Sequence, residues 1–321
     1  AWSFLDPSES LLLVIIVGLG IAISSATQDI TIDALRIEQI GEDEKDLLSA
    51  GAAISVVGWW TGYKIGGLIS LISADILQEQ GVENYWQISF LILSTIITLC
   101  SIGLLFIPEK NSLDKIKFQE LADRKIVNKI GASNSFVKIF AWFYGTVISP
   151  LLSFFKKNTL NVAFAILGFI FLFKIGEAFL GRMSLVFYKE IGFSKTDIAL
   201  YSKGVGWLTT VLFTLLGGLF AVRMGLVKAM FVSGILMALT NIMFSFLAWA
   251  GNSETLFAFT VLVDDLAAAF ATVAFVGFIS ALVDRNYTAT QYALLASIGT
   301  AGRTLFASSS GMIVDWLNGN W

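Results

Sequence analysis

The fold turns on one stretch, LLLVIIVGLGIAISSATQDITIDALRIE, residues 11–38. Its first part is unbroken apolar sequence, and a span predicted over about residues 10–32 is long enough to cross a ~30 Å hydrocarbon layer as a helix. At the end of the run stand Gln28, Asp29 and Asp33, all before the first arginine, Arg36. Carboxylates four residues apart share one helix face. A charge held in hydrocarbon costs at least ~3 kcal/mol, so such a face turns toward a bundle interior or a water-filled cavity. The stretch therefore predicts a spanning helix with an acidic working face near one end.

The same grammar repeats along the whole sequence. The chain is 56% hydrophobic and 14% charged with a mean hydropathy of +0.78, beyond the composition of an ordinary soluble domain. Apolar runs bounded by charges and turn residues predict about eight spans, at 10–32, 49–73, 86–107, 159–187, 199–221, 225–249, 255–282 and 291–315. The expected fold is an all-α polytopic transmembrane helix bundle. The sequence opens without a methionine and stops at Trp321 just after an apolar run, so it is expected to be a fragment of a longer protein.

Composition also excludes chemistry. With no histidine and a single cysteine, Cys100, His-based catalysis, His-ligated metal and a disulfide framework all drop out. No HExxH, GxSxG or GxxxxGK[ST] motif occurs, which removes the usual signatures of a membrane-embedded hydrolase and of ATP-driven transport. No cofactor, metal or nucleic acid is expected.

Alternating spans divide the loops into two sets. Residues 33–48, 108–158, 222–228 and 283–290 carry fourteen Lys and Arg, against Lys189 and Lys195 alone on the other side. The first set is thereby placed in the cytoplasm. Within the 108–158 stretch, SNSFVKIFAWFYGTVISPLLSFFKK reads as an interfacial helix on the inner leaflet; an extra span is the alternative, at the expense of the charge asymmetry.

Five cations, Lys64, Lys174, Arg182, Lys203 and Arg303, fall within spans, as do the acids Asp29, Asp33, Glu177, Asp264 and Asp265. Equal numbers suit a paired interior. Asp29 and Asp33 are candidate proton carriers, although Asp33 also reads as a solvated end-of-helix acid beside Arg36. Lys174 and Glu177, three apart in FLFKIGEAFLGR, form either an internal salt bridge or a ligand or proton site. Asp264 and Asp265 lie roughly 14 Å into their span at ~1.5 Å per residue, and at most one is expected to face the cavity. Lys203 either snorkels or binds substrate. Arg303, in IGTAGRTLFASSSG, is expected to aim at a partner acid or substrate, and Arg182 at a structural partner. These charges favour a secondary transporter over an embedded enzyme or a channel.

At this point the motifs resemble a family. SATQDITIDALRIE followed by GAAISVVG, then PLLSFFKKN, KIGEAF, YSKGVGWL and YTATQYALLASIGTAGR, are similar to AmpG-type muropeptide permeases of the major facilitator superfamily. GGLFAVRMG, residues 217–225, resembles a weakened form of that superfamily's cytoplasmic-loop motif. The resemblance implies a larger bundle, usually of fourteen spans. Residues 1–107 would hold helices 4 to 6 of the N-terminal half, 108–158 the cytoplasmic linker, and 159–321 helices 7 to 11 of the C-terminal half. It further implies proton-driven import of N-acetylglucosaminyl-1,6-anhydro-N-acetylmuramyl peptides across a bacterial inner membrane by a multi-pass monomer, with the proton as the coupling ion.

On that assignment Asp29, Asp33, Glu177 and Asp264 are candidates for proton coupling. Gln28, Trp60, Lys64, Lys174, Lys203, Asp265 and Arg303 are candidates for substrate binding, with Trp59 and Trp207 as further aromatic faces. One departure stands out: family members tend to carry Tyr-Arg where this chain has Trp59-Trp60, and the cation appears as Lys64 one turn later. Acetyl-CoA transporter-like proteins share parts of the pattern and form the runner-up.

Overall fold

In the computed structural model, described for residues 2–5, 10–41, 44, 47–108, 117, 120–121, 124, 135–194, 198 and 206–317, the regular structure is helical. Three long helices come first: α1 (Leu11–Gln39), α2 (Leu47–Glu79) and α3 (Tyr85–Leu104). Then α4 (Ser135–Phe143), one π-helical turn (Tyr144–Ile148) and α5 (Ser149–Lys157) run end to end. The second group is α6 (Leu160–Leu172), α7 (Ile175–Ile191), α8 (Gly206–Met224), α9 (Leu226–Ala250), α10 (Glu254–Leu282) and α11 (Thr288–Trp316).

Seven helical segments among the described residues are long and apolar enough to cross a membrane. They include six of the eight expected spans plus 139–157, the stretch expected to lie on the membrane surface. That stretch is fixed to the bundle at its C-terminal end, where Ser153 Oγ donates to Asp284 (2.9 Å) and the Pro150 carbonyl accepts from Gln291 (2.9 Å). α2 and α11 fall outside the set. Both are long, but α2 is diluted by Gly51, Gly58, Gly62, Gly66, Gly67 and Lys64, and α11 by threonines, serines and Arg303. Both of these less apolar helices contribute to the walls of the cavities described below.

Small residues set the interhelical distances. α2 runs along α8 and α10, and a Cβ on Gly218 would come within 2.5 Å of the Ala53 Cβ. One apolar cluster, including Ile37, Leu48, Phe154, Ile170, Met230, Phe275 and Leu295, ties α1 and α2 to the second group. Another, built on Phe187, Tyr188, Phe244, Leu247 and Phe257, joins α7, α9 and α10. Large apolar side chains left on the outside, such as Leu12, Ile54, Phe231 and Trp249, suit a surface solvated by lipid chains rather than water.

The span expected as continuous over 159–187 is broken. α6 stops at Leu172, Lys174 adopts φ −100°, ψ 16°, and α7 starts at Ile175. FLFKIGEAF contains no proline, so the cause is tertiary. Gly302 of α11 sits against the carbonyl of Phe171, where a Cβ would collide with the oxygen. Phe173 stacks on Phe275 of α10, with centroids 5.5 Å apart.

Candidate functional site

The break in the α6–α7 helix puts Lys174 and Glu177 into a cavity of about 240 Å³. It is lined from both helix groups: Asp33 from α1; Ser55, Trp59 and Trp60 from α2; Thr272 from α10; Tyr292 and Arg303 from α11. Lys174 is 9% exposed. Its Nζ lies 2.8 Å from Glu177 Oε2 and donates to Thr272 Oγ1 at 2.8 Å. Thr272 in turn donates to the Ala268 carbonyl. A buried ammonium is tolerable only when so enclosed by partners. The salt-bridge reading of Lys174 and Glu177 and the site reading thus describe the same place.

Asp33 does not stand free in solvent. It is one-fifth exposed, bridges to Arg36 at 3.0 Å and accepts from Ser55 at 3.4 Å. Arg36 donates onward to Ser280 of α10 at 3.1 Å and lies 6.0 Å from the centre of the Tyr292 ring. Residues 33–36 therefore join the two helix groups. Hydropathy ends near Ile32, but α1 continues to Gln39, which is what carries these charges into the contact.

A larger cavity of about 1180 Å³ adjoins the first through Asp33, Ser55, Trp59 and Tyr292. Its walls are α1 with Ala26 and Asp29, and α11 with Ser297, Thr300 and Thr304. Asp29 thus faces a cavity, one chamber away from Glu177. Gln28, on the neighbouring face of α1, lines neither chamber.

The remaining candidates lie apart. Lys64 sits 5.1 Å from the centre of the Trp60 ring and donates to Thr210 at 3.2 Å, tying α2 to α8 beside the Trp207–Thr61 bond. Asp264 points to Thr240 of α9, and neither it nor Asp265 lines the chambers. Lys203 lies outside the described residues, as does the side chain of Arg182. Sequence reasoning missed Ser55, Thr272, Ser280 and Tyr292. Neutral hydroxyls recur in spanning helices bonded to their own backbone, so nothing in the sequence marks them. Arg36 carried a signal, its i,i+3 spacing from Asp33.

At the cytoplasmic end predicted from the loop charges, Arg285 closes the two groups together. Its Nη1 donates to the Ile40 carbonyl at 2.6 Å and its Nη2 to that of Gly41 at 3.3 Å. Asp284, next to it, holds Ser153, and its backbone N–H donates to Gln291 at 2.7 Å. Burial and the Asp284 carboxylate raise the Tyr287 phenol above its ordinary value of 10.0.

The helical bundle with cavities at the junction of its two groups was compared with known proteins. The family model for the Major Facilitator Superfamily matches residues 2–307. The chain belongs to this superfamily. Among relatives of this superfamily chain, a Rickettsia felis protein carrying the name transporter AmpG 4 is 30% identical over 312 residues, 97% of this chain and 68% of its own length. The AmpG 4 protein of Rickettsia conorii is 31% identical over 293 residues, 91% of this chain and 64% of its own. The anhydromuropeptide permease of Escherichia coli K12 is 29% identical over 317 residues, 98% of this chain and 57% of its own. The chain thus spans roughly three-fifths of the length of the curated relatives it matches. It is a multi-pass member of a transporter superfamily.

Proposed function

We propose that this chain forms part of a proton-driven importer of anhydromuropeptides, N-acetylglucosaminyl-1,6-anhydro-N-acetylmuramyl peptides, carrying them from periplasm to cytoplasm for cell-wall recycling. The observation that carries this reading is the Lys174–Glu177 pair, set at a helix break and facing a cavity walled by both helix groups. Such a pair responds to a proton and to a bound anion at once, because either one releases the other partner. The name of the Escherichia coli relative supplies the substrate class. The setting is a bacterial inner membrane, with the proton as the only coupling ion and a monomer as the working unit.

Within this reading Glu177 is the principal coupling acid, and Asp29 is a second one in the adjoining chamber. Asp33 instead holds Arg36 and the junction between the groups. Asp264, which points to Thr240 of α9, and Asp265 stand outside both chambers and act there rather than on substrate. Trp60 and Lys174 face substrate, whereas Lys64 and Gln28 serve packing and access. Proteoliposome uptake of labelled anhydromuropeptide and of acetyl-CoA by the full-length protein, with and without a protonophore, tests the proposal. Protonophore-sensitive uptake of the muropeptide alone supports it, and uptake of acetyl-CoA alone overturns it.

A further inference from the structure

Four ionic side chains line the inner chamber, and three are already engaged. Asp33 is held by Arg36, and Lys174 and Glu177 hold each other with Thr272 completing the lysine. Arg303 reaches the same chamber from α11 and makes no ion pair among the described residues. Of the four, Arg303 is the exposed one, so its guanidinium is open to an anion entering the chamber rather than sealed against a protein partner. Its planar fork offers two parallel N–H donors, the geometry of a carboxylate.

The two chambers differ in character as well as size. The inner one, about 240 Å³, is ionic and walled by Trp59, Trp60 and Tyr292. The adjoining one, about 1180 Å³, has Asp29 and Asp33 but no cation in its lining and presents Ser297, Thr300 and Thr304 between alanines of α11. A neutral, hydroxyl-bearing body fits the larger chamber. A compact anionic end fits the smaller one.

We infer that Arg303 anchors a peptide carboxylate of the substrate in the inner chamber, with the sugar portion of the same molecule in the larger chamber. This assignment rests on the muropeptide reading above and adds to it the orientation of the substrate and the residue that reads its charge. Lys174 cannot take that role without leaving Glu177 and Thr272, so the carboxylate docks on Arg303 first.

The test is initial-rate uptake, by the full-length protein in proteoliposomes, of an anhydromuropeptide and of its analogue with the peptide carboxylates amidated. Wild type prefers the free acid by roughly tenfold to a hundredfold, the range of a charge-assisted hydrogen bond gained or lost. Arg303→Gln brings the two rates to within about twofold of each other, while Arg303→Lys, which keeps the charge but not the fork, retains part of the preference. Should Arg303→Gln fail to fold, Arg303→Lys together with the wild type still decides. Equal uptake of acid and amide by the wild type overturns the assignment, as does an undiminished acid preference in either variant. Transport of neither compound by the wild type overturns the muropeptide reading itself, and this assignment with it.

Discussion

Arg285 of the α10–α11 connection caps the carboxyl end of α1, donating to the Ile40 carbonyl at 2.6 Å and the Gly41 carbonyl at 3.3 Å. The end of a helix is its negative pole, with carbonyls that lack helical partners. A guanidinium arriving from the other helix group satisfies them and locks the two groups together. Hydrogen bonds to a charged group are worth about 1.5–3 kcal/mol each.

Arg285→Ala should therefore shift the protein toward cytoplasmic opening by roughly tenfold or more. A cysteine at Ser49, buried where α2 meets α10, in a Cys100→Ser background, reports it. Maleimide labelling from the cytoplasmic side should speed up in Arg285→Ala and slow again in Arg285→Lys. Unchanged labelling would show that the bond carries no gating energy.

Glu177→Gln should abolish gradient-driven accumulation while substrate counterflow continues, because exchange needs no net proton movement. The same change strands Lys174, and breaking a buried pair costs about 3–5 kcal/mol, so the melting temperature should fall. Lys174→Met combined with Glu177→Gln should recover stability but not accumulation. That split separates the pair's structural role from its coupling role.

Thr272→Val removes one of the partners of the Lys174 ammonium. A loss of about 1–3 kcal/mol in stability is expected. It should be read by thermal unfolding in detergent, with Thr98→Val, an exposed threonine bonded only to its own helix, as a near-neutral control.

Gly302→Ala places a methyl on the Phe171 carbonyl, and overpacking of this kind costs about 1–3 kcal/mol. Gly20→Ala has open space around it and should cost nothing. Equal stability of the two variants would contradict the close α6–α11 contact that shapes the helix break.

Much of this was legible before any coordinates. Apolar runs and turn residues gave the helices, and the improbability of buried charge selected Asp33, Lys174, Glu177 and Arg303, which the structure gathers in one chamber. The helix break was not legible, because FLFKIGEAF has unremarkable local propensity and its interruption is imposed from more than a hundred residues on, by Gly302 against Phe171 and Phe275 against Phe173. Nor was the junction role of Asp33. Hydropathy ends at Ile32, and the helix runs on because Arg36 finds Ser280 and Tyr292 on the other group. Thr272 and Tyr292 gave no signal, since a neutral hydroxyl inside a span is common and its partner is chosen by tertiary packing. The small residues of α2 and α11 were visible as composition but not as cavity walls.

On the proposed function, a proton gradient drives a muropeptide through the cavity holding Lys174 and Glu177. Accumulation of labelled anhydromuropeptide in proteoliposomes under an imposed inward proton gradient measures this directly. Uphill accumulation is expected in the wild type, collapsing with protonophore and absent in Glu177→Gln. Accumulation by Glu177→Gln equal to that of the wild type would contradict it.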